Sequence, residues 1–164
     1  MVAALELLEA FTRRVNRVFA RLASVVVLGI AAAVLTEVFF RYVLNAPTAW
    51  ALDASRFALV YVTFFALAPA LESGQHVVVD MFDRLLPVRL QPWQRVIGNA
   101  LTLAFGAVLF WYLLVETAQV FSSGETAFAV VPMQLKYIYW IAPVGAFEFV
   151  LTAVVLLGRS WPGR

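Results

Sequence analysis

Most of the side chains able to do chemistry in this chain fall into a few clusters. His76, the single histidine, stands four residues before Asp80 in Gly74-Gln75-His76-Val77-Val78-Val79-Asp80. At that helical spacing an imidazole and a carboxylate can pair. A zinc site needs further nitrogen or sulfur ligands, and a membrane haem needs axial ligands at depth. The sequence supplies neither set and has no cysteine. His76 therefore reads as a polar clasp to a partner, as a pH-sensitive contact, or as a hydrogen-bonded loop residue that fixes a turn. Glu37 and Arg41 are four apart, and Asp53 and Arg56 three apart, so both pairs suit ion pairing on one helix face. Trp50 stands between them. This stretch is either interface anchoring with local ion pairs or a charged patch that orients the chain against a larger neighbour. Glu148 sits inside an apolar run. A carboxylate there must be protonated, paired, or lining a polar cavity. The readings left open are a contact with a partner helix, an ion pathway, and a reach toward headgroups or a basic residue. The serines have only His76 as a candidate base, and there is no phosphate-binding Gly-rich loop or Gly-x-Ser-x-Gly elbow. No catalytic set is present, and the chain is not expected to be an enzyme.

The elements that carry these residues follow from composition. Hydrophobic residues make up 63% of the 164 residues and charged residues 13%. A soluble domain runs nearer half apolar and a quarter charged, and a chain this small leaves much of its surface exposed. Its natural solvent is lipid. Crossing a hydrocarbon core of about 30 Å takes about 20 apolar residues as a helix. Four stretches qualify: 22–40, 54–71, 96–121 and 137–157. The predicted fold class is all-α, a single four-helix integral membrane domain.

Basic residues set the orientation. Arg13, Arg14, Arg17, Arg21, Arg84, Arg89, Arg95, Arg159 and Arg164 lie on one side; only Arg41, Arg56 and Lys136 lie on the other. By the positive-inside bias both termini and the middle loop are cytoplasmic. The arginines at span ends speak for a membrane rather than for nucleic acid as partner. Tyr42, Trp50, Tyr137, Tyr139 and Trp140 mark the outer interface; Trp93 and Trp161 mark the inner one. Leu5, Leu8, Val15, Val18, Phe19 and Leu22 recur at helical spacing opposite Glu6, Glu9, Arg13, Arg17 and Arg21. This predicts an amphipathic helix over about 4–20 lying in the interface, with a turn near Ala20 to Ser24; the alternative is a direct extension of the first span. A second short amphipathic helix is predicted in the middle loop, stopped before Pro87. Gly74 is a stop signal for the second span. Gly98, Gly106, Ala107, Gly145 and Ala146 are candidate close-approach positions, and Pro143 a candidate kink.

Three motifs resemble the small membrane subunit of tripartite ATP-independent periplasmic (TRAP) transporters, the DctQ-like family. They are Phe40-Arg41-Tyr42-Val43-Leu44-Asn45, then Trp50-x-x-Asp53-x-x-Arg56, then Gly74-Gln75-His76-Val77-Val78-Val79-Asp80 with Leu86-Pro87 after it. The specific part covers about Phe40 to Pro87. Asp53 departs from the pattern, since the family usually has glutamate there. Beyond Trp93 only hydropathy, Pro132 and Pro143-Val144-Gly145 agree.

The resemblance implies a secondary uptake system in the bacterial inner membrane. A periplasmic binding protein would deliver an organic acid, and a large membrane subunit would carry the substrate and sodium sites. This chain would be the fixed scaffold, holding no cofactor itself and contacting membrane lipids. Arg41, Trp50, Asp53 and Arg56 would meet partners at the outer end, and His76 and Asp80 at the inner end, with Glu148 as a further packing or partner contact. The competing functions are a membrane anchor for a respiratory or electron-transfer complex, a small autonomous channel or exporter, and, last, a lipid-acting enzyme.

Overall fold

The computed structural model describes residues 2–74, 91–127, 129–130 and 132–160. The helices, in chain order, are α1 (Val2–Tyr42), α2 (Ala51–Glu72), α3 (Gln91–Ser123), the single turn α4 (Lys136–Tyr139) and α5 (Ile141–Ser160). Four segments are long and apolar enough to cross a membrane. The expected second amphipathic helix of the middle loop, with His76 and Asp80, lies outside the described residues.

The first expectation to fail is the turn at residues 20–24. α1 runs unbroken for 41 residues, about 60 Å at 1.5 Å per residue, or twice the hydrocarbon thickness. Ala20-Arg21-Leu22-Ala23-Ser24 contains no glycine or proline, and the Ser24 hydroxyl donates back to Ala20 O at 2.9 Å within the helix. Part of the apolar face of residues 5–19 is covered by the chain's own helices: Leu5 packs at Gly158 of α5, and Phe19 meets the Phe65 ring of α2 edge-on at 5.2 Å, while Val18 stays exposed. The interfacial helix is thus an extension of the first span aligned with the bundle.

α5 is the axis. Half of its apolar window is buried, against 6% in α1. It packs on α3, α2 and α1, and α1 also packs along α2. A buried cluster of Ala68, Leu71, Phe149 and Ala153 forms the α2–α5 seam, with Leu103 of α3 against it. The outward surfaces of α1 and α3 are left apolar, as a lipid-facing wall requires. Gly145 sets the α2–α5 spacing: a Cβ there would lie 2.6 Å from Phe64 O, so only glycine lets the backbones approach so closely. Gly98 has nothing within 4 Å and is not a packing position.

α2 ends where Gly74 takes a left-handed φ of 69°, the usual helix stop. Pro143 does more than kink the fourth span. The helix breaks at Trp140, and the proline falls in the first turn of α5, where its missing N–H is harmless. The Tyr139 carbonyl four residues earlier is capped instead by the Thr117 hydroxyl of α3 at 3.4 Å.

Candidate functional site

Polar groups gather at both ends of the bundle. At the end opposite the termini, Glu37 is the hub. It is buried, and its Oε1 accepts from Arg41 Nε at 3.0 Å. Its Oε2 accepts from the Thr48 backbone N–H at 2.8 Å and also from the Thr48 hydroxyl. One carboxylate thus ties the last turn of α1 to the loop that leads into α2. The loop itself turns at Asn45, which adopts a left-handed φ of 49°, a conformation that asparagine tolerates better than most residues; Ala46 N–H then donates to Phe40 O at 3.0 Å.

Asp53 is buried in the first turn of α2. Its Oδ2 accepts from the Val130 N–H at 2.7 Å, which fastens the connection between α3 and α4. That connection is closed by Ala127 N–H to Met133 O at 2.8 Å and Leu135 N–H to Glu125 O at 3.0 Å. Arg56 stands 3.7 Å from Asp53 Oδ1 with its side chain 75% exposed; Arg41 is 48% exposed. The carboxylates are therefore inside and structural, while the guanidinium groups lean outward. Trp50 is exposed beside them and edges a shallow apolar groove of about 280 Å³ with Gly29, Ala33, Ala54, Ser55 and Ala58. Tyr61 completes this end: its hydroxyl donates to Tyr137 O and accepts from Trp140 Nε1 at 3.0 Å, holding the break between α4 and α5.

At the termini end Glu9 accepts from Arg159 Nε at 3.0 Å and pairs with Arg13. Deeper in, the Asn16 amide donates to Glu72 Oε2 at 2.8 Å and Thr152 Oγ1 at 3.1 Å, joining α1, α2 and α5. Glu148 lies one helical turn from Thr152 and is 4% exposed. It is enclosed by this chain's own helices, not presented to a partner helix.

Sequence reasoning thus placed Arg41, Trp50, Asp53 and Arg56 at one end and expected the pairs Glu37–Arg41 and Asp53–Arg56, both of which form. It missed Thr48, Asn16, Glu72 and Thr152, whose contacts bridge separate segments. Only Asn16 left a trace: with Thr12 one turn before it, it is a polar residue set on the buried face of an otherwise apolar stripe. Among the described residues, no group of three or more His, Asp or Glu side chains is placed to hold a metal ion.

The arrangement is that of polar clasps at helix ends around an apolar wall. A family model described as the DctQ component of tripartite ATP-independent periplasmic transporters matches residues 30–163. The match takes in the far-end clasp and all of α2, α3 and α5. A search of the curated proteins found no match.

Proposed function

Since the chain belongs to the DctQ family, the small membrane subunit of TRAP transporters, we infer that it is the fixed scaffold of a sodium-coupled organic-acid uptake system. The family match over most of the chain carries this reading and does not favour an electron-transfer anchor. Members are transport components rather than enzymes. In this reading a large membrane subunit carries the substrate and the sodium, and a periplasmic binding protein delivers the substrate. The chain lies in the inner membrane with both termini cytoplasmic, as its arginine distribution favours.

The geometry supports a scaffold in a specific way. Arg41 and Arg56 present half-free guanidinium groups from buried carboxylate supports. A cation held this way is oriented at little entropic cost and can form bidentate bonds to a carboxylate of a partner. We assign the outer-end contact with the large subunit or binding protein to Arg41, Trp50 and Arg56. Asp53 acts as the internal support. His76 and Asp80, outside the described residues, take the corresponding role at the inner end on the strength of the family motif.

The test is co-purification of Arg41→Ala, Arg56→Ala and His76→Ala variants with the large subunit, together with solute uptake in proteoliposomes under a sodium gradient. Weaker association or lower uptake in these variants is expected. An intact complex with full uptake in all three removes the interface assignment. Uptake by the large subunit that is unaffected by omission of this chain removes the scaffold role.

A further inference from the structure

The deep cluster at the termini end has an unbalanced set of hydrogen-bonding groups. Asn16 Oδ1 and Glu148 Oε1 are both buried acceptors with no donor, in residues 2% and 4% exposed. Glu72 dictates which way the Asn16 amide faces: its nitrogen is spent on Glu72 Oε2 and Thr152 Oγ1, so its oxygen is left over. Among the described residues, the charge that bears on Glu148 is the Glu72 carboxylate, of the same sign. A buried acceptor without a donor is costly, and a buried anion beside a like charge in an apolar span is more so.

Among the described residues, no cation is placed against Glu148 to correct this. From α1, Glu9 and Arg13 face the cleft beside the cluster, and Arg13 pairs with Glu9. Arg14 and Arg17 line a separate surface recess with Glu72. From α5 itself, Arg159 also pairs with Glu9. α3 meets this stretch of α5 through Leu103 and Gly106 against Phe149; its nearest titratable residue is Tyr112, six positions on, and its nearest charged residues, Arg95 and Glu116, lie about ten residues from Gly106 on either side, or about 15 Å along the helix. α2 contributes Glu72.

We propose that Glu148 carries a proton in the assembled bundle, and that Glu148, Asn16 and Thr152 with Glu72 alongside form a proton-binding site. A protonated carboxyl converts an acceptor into a donor. Its O–H supplies a donor where both leftover oxygens are acceptors and removes the repulsion from Glu72, which keeps the Asn16 amide. A bridging water would donate to the oxygens and leave both charges in place, so the proton is the ligand that settles both accounts. A cleft lined by Glu72 and Thr152 leaves about 10 Å³ for the centre of a water-sized molecule, room for about one water beside the cluster.

The experiment is infrared spectroscopy of the full-length chain in lipid nanodiscs, titrated from pH 6 to pH 9. Ordinary aspartate and glutamate side chains, with pKa values near 4, are ionised throughout, so a carboxylic-acid C=O band at pH 6 reports a held proton. The expected result is a band of one-carboxyl intensity at pH 6. It fades as pH rises, is lost in Glu148→Gln, persists in Glu72→Gln, and is indifferent to exchange of sodium for choline. A missing band at pH 6 overturns the proposal. So does a band lost in Glu72→Gln but kept in Glu148→Gln, which places the proton on the other carboxyl, and so does a band that appears only when sodium is withdrawn, which makes the site a cation site. The wild-type titration and the Glu72→Gln variant decide the matter even where Glu148→Gln does not assemble. None of these readouts depends on transport.

Discussion

Replacing Gly145 by alanine tests whether the α2–α5 seam is set by backbone contact. The added Cβ would stand 2.6 Å from Phe64 O, 2.8 Å from Phe64 Cβ and 3.0 Å from Phe64 C. The carbonyl contact is about 0.8 Å short of ordinary van der Waals distance, and backbone atoms cannot rotate out of the way. α5 must withdraw from α2, loosening Ala68, Leu71, Phe149 and Ala153 together. Overpacking of this kind costs about 1–3 kcal/mol, set against a helix-propensity gain of about 1 kcal/mol for alanine over glycine. Two internal controls scale the result. At Gly106 the new Cβ meets side chains rather than backbone, the Phe149 ring at 2.8 Å and Val150 Cγ2 at 3.4 Å; at Gly29 it meets nothing within 4 Å. The expected order of stability is Gly29→Ala at or above the parent, Gly106→Ala below it, and Gly145→Ala lowest. At the upper end of that balance, a net loss of about 2 kcal/mol lowers the folded-to-unfolded ratio by about 30-fold. The assay is unfolding in mixed micelles of increasing denaturing-detergent fraction, followed by far-UV circular dichroism. If Gly145→Ala proves as stable as Gly29→Ala, the close approach is not what fixes the seam.

Three further outcomes are expected. Asn16→Ala strips the amide from buried Glu72 and Thr152 contacts and costs about 1–3 kcal/mol in the same unfolding assay. Arg159→Ala breaks an ion pair on a side chain 42% exposed, so its cost stays below about 1 kcal/mol and shrinks as salt is raised. Asp53→Ala frees the Val130 N–H; the connection over residues 124–135 should then be cut by added protease several times faster, while far-UV ellipticity stays unchanged.

Much of the architecture was legible because membrane spans advertise themselves by apolar length: the first three expected spans sit inside observed helices, while the fourth crosses the break at Trp140. Local pairs were legible too: Glu37 with Arg41 and Asp53 with Arg56 obey helical periodicity. What periodicity cannot carry is a bond between a side chain and a distant backbone group. Asp53 to the Val130 N–H spans 77 positions and Asn16 to Thr152 spans 136, and nothing in local spacing foretells either. The turn expected at Ala20 to Ser24 failed for a different reason. Amphipathicity says which face seeks apolar cover, not whether lipid or protein supplies it, and here α2 and α5 did. The absence of any glycine or proline between Ala20 and Ser24 was the more informative sign.

The way α5 gathers the other three long helices has a consequence for biogenesis. α1 and α2 leave the ribosome first and already share a seam, with Glu37 closing the loop between them through Thr48. They can pair in the bilayer as a finished hairpin. Among the described residues the long helix that α3 packs along is α5, so most of its protein cover arrives only when α5 is inserted. The same late arrival buries Glu148. Insertion of α5 therefore carries a carboxyl into the bundle and packs together two halves that, among the described residues, are tied before it by Asp53 and the Val130 N–H, so assembly of the bundle waits on that helix.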